Sequence, residues 1–67
     1  MGPHRIAINE LPDEARIDVQ VVSALYARSI PSIWRDVRAG RVPKPLKFGR
    51  STRWILGEVR AALRAQA

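Results

Sequence analysis

Two helix signals stand back to back in this chain with almost nothing between them, and that spacing constrains the fold more than any other feature. The second is the clearer. Across residues 29–40, SIPSIWRDVRAG, the apolar positions Ile30, Ile33, Trp34 and Val37 recur at i, i+3, i+4 and i+7, the stripe of a helix packed on a core. Ser29 is placed to cap its start, and Pro31 is tolerated in a first turn whose N–H groups have no helical partner. Gly40 then ends it. Ser32 and Arg35 fall opposite the stripe. The first helix spans residues 18–28, with Asp18 as N-cap and Ile17 just outside as a hydrophobic staple. Val22, Leu25 and Tyr26 form its inward face, Val21 contributing in part. Short helices joined this tightly predict a helix-turn-helix.

A chain of 67 residues is one domain near the lower limit at which a hydrophobic core alone sustains folding. It contains no cysteine and one histidine, which excludes disulfides and argues against a structural zinc site. Trp34, Trp54, Phe48 and Tyr26 must therefore supply much of the buried surface. Catalysis fails for want of parts. His4 lies in a segment with no helical period, there is no thiol, and no carboxylate pair is set in an apolar pattern. The FGRS stretch is too short for a phosphate-binding loop and reads as a turn. No cofactor and no metal is expected. Nor is there an apolar run long enough for a signal peptide or membrane span, so a cytoplasmic protein is the expectation.

The net charge of +6 hides an asymmetry. Residues 1–20 hold two arginines against four carboxylates, whereas residues 21–67 hold ten Lys and Arg against Asp36 and Glu58. Concentrated positive charge on the helical half is the electrostatic footprint of a nucleic-acid-binding module. Residues 1–16 carry Pro3, Pro12 and mixed charge without periodicity, and read as a flexible arm with a brief strand possible at residues 5–9. After Gly40 the prolines of RVPKP forbid helix, and the residues that follow alternate. Leu46 and Phe48 point one way and Lys47 the other. Gly49, Arg50 and Ser51 make a tight turn, and residues 52–55 return as a strand. This hairpin carries Arg50 at its tip and Lys47 and Arg53 on its arms, where duplex DNA would be met. A last helix follows, capped weakly by Gly57, with Val59, Ala62 and Leu63 inward and Arg60 and Arg64 on a solvated face. Arg28 and Ser29, at the turn between the first two helices, are candidates for phosphate contact.

With these residues in view, the chain resembles the AlpA-like phage regulators and related small excisionases, which have a MerR-type winged helix-turn-helix. The resemblance covers residues 17–63 and is carried by Ser29, Ile33-Trp34, Gly40, Pro43, Pro45, Phe48-Gly49 and Arg53-Trp54 at the family's spacing. It implies a recognition helix in the major groove and a wing along the adjacent minor groove. Carried over by position, Pro31, Ser32 and Arg35 face the groove, and Lys47, Arg50 and Arg53 serve the wing. Trp34 and Trp54 match buried structural aromatics. Three residues depart from the pattern. Ala27 replaces a turn glycine, which predicts a less sharp interhelical turn, while Gly57 and Ala62 replace a cap and an aromatic, which predicts a short, frayed last helix.

The sequence thus points to a small, mostly α, α+β winged helix-turn-helix with three short helices and one hairpin over residues 17–67. Its expected partner is double-stranded DNA, bound at repeated sites beside other copies of itself. The expected role is that of an excisionase, a recombination directionality factor assisting a tyrosine or serine integrase; transcriptional regulation would use the same surface. A rival of another class is a small inhibitor docking its basic face on a nucleic-acid enzyme. RNA binding ranks lower, because both tryptophans fall at core positions rather than on an exposed stacking surface. Between copies, the acidic residues Glu10, Asp13, Glu14 and Asp18 are expected to meet the basic last helix of a neighbour.

Overall fold

Local capping chemistry fixes where the first two helices begin and end. In the computed structural model, which describes residues 10–66, the order is β1 (Arg16–Ile17), α1 (Val19–Tyr26), α2 (Ile30–Ala39), β2 (Leu46–Phe48), β3 (Ser51–Ile55) and α3 (Leu56–Ala65). Asp18 caps α1 by accepting the Val21 N–H at 3.0 Å, and Ser29 caps α2 through the Ser32 N–H at 3.3 Å. Both helices end in the same left-handed motif. At the end of α2, the Gly40 N–H donates to the Val37 carbonyl and the Arg41 N–H to that of Asp36. At the end of α1, the Ala27 N–H donates to the Ala24 carbonyl and the Arg28 N–H to that of Ser23.

Ala27 therefore makes as sharp a turn as a glycine would, contrary to the expectation from its Cβ. Its φ of 56° and ψ of 42° lie in the left-handed region. An L-residue there carries a steric cost of about 1–2 kcal/mol. Ala27→Gly should remove that cost while giving back roughly 0.4–1 kcal/mol through the freer unfolded chain. The net expectation is a stabilisation of about 0.5–1 kcal/mol, read as a higher urea midpoint at unchanged slope. A lower midpoint would mean that the turn is not left-handed in solution.

The sheet is antiparallel, with β3 in the centre and β1 and β2 at its edges. Phe48 pairs with Ser51, leaving Gly49 and Arg50 as a two-residue turn. Only the first of these has positive φ, 65°, the pattern of a type II′ hairpin. The wing is thus where the alternation placed it. β1 was not legible from the residues: it is two residues long and exists by pairing Arg16 with Ile55 and Ile17 with Trp54. The brief strand expected at residues 5–9 lies outside the described residues.

Residues 11–16, expected to belong to the arm, are docked rather than loose. Leu11 and Ala15 pack against the core. The Ala15 carbonyl accepts the Leu56 N–H and the Asp13 carbonyl accepts the Gly57 N–H, both at 2.8 Å. These bonds answer the question of what caps α3. Its N-cap is Ile55, which has no side-chain bond to give, and Gly57 lies inside the helix. Two of the N–H groups orphaned at a helix start are satisfied by backbone from the preceding segment instead. Glycine is required there by close approach, since a Cβ on Gly57 would stand 2.8 Å from the Asp13 Cβ. With that support α3 runs 10 residues, as long as α2, rather than fraying early.

The core comprises Ile17, Val22, Ile33, Val42, Trp54, Leu56 and Val59. Ile17 and Val22, the staple pair across the start of α1, are both in it. Trp54 is fully enclosed, and its indole N–H donates to the Pro43 carbonyl at 2.7 Å. Trp34 is only half-buried, a correction to the expectation that both tryptophans are enclosed; its ring tilts at 40° against that of Trp54, centroids 5.4 Å apart. The reason is helix phase. Along α2 the buried residues are Ile33 and Asp36, so the inward face is rotated toward Asp36 and leaves Trp34 on the flank.

Candidate nucleic-acid interface

A charged side chain can be buried on α2 because of two arginines outside the helix. Asp36 is 4% exposed. Its Oδ2 lies 2.8 Å from Arg28 Nε and its Oδ1 3.2 Å from an Arg41 guanidinium nitrogen. One carboxylate therefore ties the turn before α2 to the loop after it. Buried carboxylates persist when both oxygens are bonded. The loop is pinned further by burial of Val42, by the Trp54 bond to Pro43, and by Gln66 Nε2, which donates to the Arg41 carbonyl at 2.6 Å. Consequently α2 and the base of the wing are held in one fixed relation.

The outward residues of α2 are those expected. Pro31 and Arg35 are exposed and Ser32 is partly so. Arg35 has no hydrogen-bond or ion-pair partner among the described residues. Ser29 is exposed, and besides capping the helix its hydroxyl donates to Ser32 Oγ at 2.9 Å. Arg28, the candidate phosphate contact at the turn, has its Nε committed to Asp36 while its side chain remains 48% exposed.

On the wing, Lys47 and Arg50 are exposed and Arg53 is partly covered, donating to the Thr52 carbonyl at 2.9 Å. The register separates Lys47 from Arg53. Lys47 pairs with Thr52, which shares the face of buried Trp54, whereas Arg53 shares the opposite face with Leu46 and Phe48. That outer face leaves Leu46 and Phe48 exposed, and the Arg16 guanidinium lies 4.6 Å from the Phe48 ring centroid. The three wing cations are thus spread over two faces and a tip rather than gathered in a patch.

The acidic segment also differs from expectation. Asp13 Oδ1 accepts from Arg60 at 2.6 Å within the same chain, so Arg60 is not part of an open solvated face. Sequence reasoning missed Arg41 and Asp36. The available signal was Asp36 itself, the only carboxylate between residues 19 and 57, placed three positions after Ile33 on the inward side of the helix.

Tyr26, at the end of α1, has a hydroxyl shut off from solvent and without a hydrogen-bond partner among the described residues. Burial, reinforced by the negative charge of Asp36, pushes its phenol above the ordinary value. Among the described residues there is no group of three or more His, Cys, Asp or Glu that could hold a metal ion, and no helix long and apolar enough to cross a membrane. No protein-family model, curated protein or solved structure matches the chain.

Proposed function

We propose that this chain is a sequence-specific binder of double-stranded DNA that presents α2 to the major groove and the hairpin to the adjacent backbone and minor groove. The observation that carries the reading is Arg35: an exposed guanidinium, without a partner among the described residues, on the outward face of a helix whose other face is locked to the core. A recognition helix needs that combination, because a rigid α-helix fits the major groove and an arginine there can bond a guanine edge in bidentate fashion. The exposed basic residues Arg28, Arg41, Lys47 and Arg50 supply the sequence-independent part of affinity. The resemblance to AlpA-like regulators and small excisionases adds the biological role we favour, an excisionase that directs an integrase toward excision in the cytoplasm. Transcriptional regulation would use the same surface, and the two roles differ in whether the bound protein stimulates an integrase. The reading requires no catalytic group and no cofactor.

Substitution at Arg35 and at Arg50 tests the division of labour. After selection of a preferred duplex from a random pool, Arg35→Ala should cost about 1–3 kcal/mol on that duplex and relax the preference at one position. Arg50→Ala should weaken preferred and random duplexes alike and lower the salt slope by about one unit. Equal loss of base preference from both would contradict a reading helix and a positioning wing.

A further inference from the structure

Arg28, Arg35 and Arg41 come from three different segments, yet all line one cleft of about 400 Å³ whose wall also includes Asp36 and Tyr26. Two of the guanidiniums are held in place, each through one nitrogen to a separate oxygen of Asp36. A guanidinium has five N–H donors, so each keeps most of its donors for another acceptor. The side chains remain 48% and 66% exposed, which leaves those donors reachable. Arg35 adds a third cation with no partner among the described residues. Among the described residues that line the cleft Asp36 is the one carboxylate, and both of its oxygens are already bonded to arginine. The cleft is therefore net positive, with its donors partly oriented before any ligand arrives. Planar arginine forks fit phosphate oxygens better than a point charge would.

We propose that this cleft is a phosphate-binding site formed by Arg28 and Arg41, with Asp36 as the positioning residue that aims both and Arg35 on the wall adding positive potential. The phosphate has two available sources, the backbone of the duplex met by α2 or a free phosphorylated small molecule; the first rests on the DNA-binding reading and the second does not. Arg41 is the informative member. It lies off the recognition helix, and its backbone bond to Gln66 survives substitution of the side chain.

The test is a titration of the full chain with inorganic pyrophosphate, with and without duplex DNA, following the arginine Nε–H and Tyr26 ring signals by NMR against sodium chloride of equal ionic strength. Pyrophosphate should shift the signals of Arg28 and Arg41, and Arg41→Gln should abolish the response. Arg41→Gln should also lower the salt slope of duplex binding by about one unit if the backbone is the source. Duplex that expels pyrophosphate assigns the site to DNA; simultaneous binding of both assigns it to a free ligand. Asp36→Asn separates aim from charge. Removing a negative charge should by itself tighten phosphate binding, whereas loss of aim should weaken it in a variant still folded by circular dichroism. Tighter binding by Asp36→Asn would remove the positioning role. Signals that pyrophosphate leaves where sodium chloride leaves them, together with an unchanged salt slope for Arg41→Gln, would overturn the site. If pyrophosphate binds and duplex does not, the DNA reading fails and the cleft stands.

Discussion

Trp54→Ala should leave the domain largely unfolded at room temperature. The indole is fully enclosed, packs on Trp34, pairs across the sheet with Ile17 and donates its N–H to the Pro43 carbonyl. Truncating a buried tryptophan costs about 3–5 kcal/mol. A domain this small has a total stability of only about 5 kcal/mol, the low end for folded proteins. Loss of the indole also frees the loop that sets the wing against α2. Far-ultraviolet circular dichroism and a urea titration measure the outcome. Trp34→Ala is the control, since its half-buried ring should leave a cooperative transition in place. If Trp34→Ala unfolds the protein and Trp54→Ala does not, the phase assigned to α2 is wrong.

Asp36→Ala should be the most damaging change at a charged residue. It removes two charge-assisted contacts and the side chain that joins the turn before α2 to the loop after it. Such contacts are worth about 1.5–3 kcal/mol each when buried, but both arginines here are substantially exposed and solvated, which reduces the sum. A loss of about 2 kcal/mol is expected, equivalent to a fall of roughly 8–16 °C in melting temperature for a domain of this length. Asp36→Leu should recover part of it, because an apolar side chain of similar size fills the site and the arginines turn to water. An unchanged melting temperature for Asp36→Ala would show that the two ion pairs do not persist in solution.

Much of this architecture was legible because its signals are local. Asp18 and Ser29 cap because short polar side chains reach the next N–H groups, Gly40 stops a helix because it adopts positive φ freely, and the FGRS turn lies between alternating residues. The features that were not legible depend on partners far along the chain. β1 is defined by Trp54, 37 residues after Ile17. The start of α3 is satisfied by carbonyls of residues 13 and 15, so no cap residue marks it. Asp36 is held inside by Arg28 and Arg41, which lie beyond the helix, and with Ile33 and Asp36 as the buried pair of α2 Trp34 falls on the flank. Of the candidate contacts, Pro31, Arg35, Lys47 and Arg50 are outward as expected. Arg28 and Arg53 are tied to other groups of the chain, and Ser29 and Ser32 to each other.

Equilibrium titration of a fluorescent duplex across a range of salt tests most directly whether the outward face of α2 and the wing bind duplex DNA, as proposed. Each phosphate neutralised contributes about −0.9 to the slope of log affinity against log salt. Arg28, Arg41, Lys47 and Arg50 are exposed; if they supply such contacts as proposed, a slope of about −3 to −5 is expected, with the preferred duplex bound roughly a thousandfold or more tighter than a random one. Affinity that is flat with salt, or equal for every duplex tested, would contradict the account.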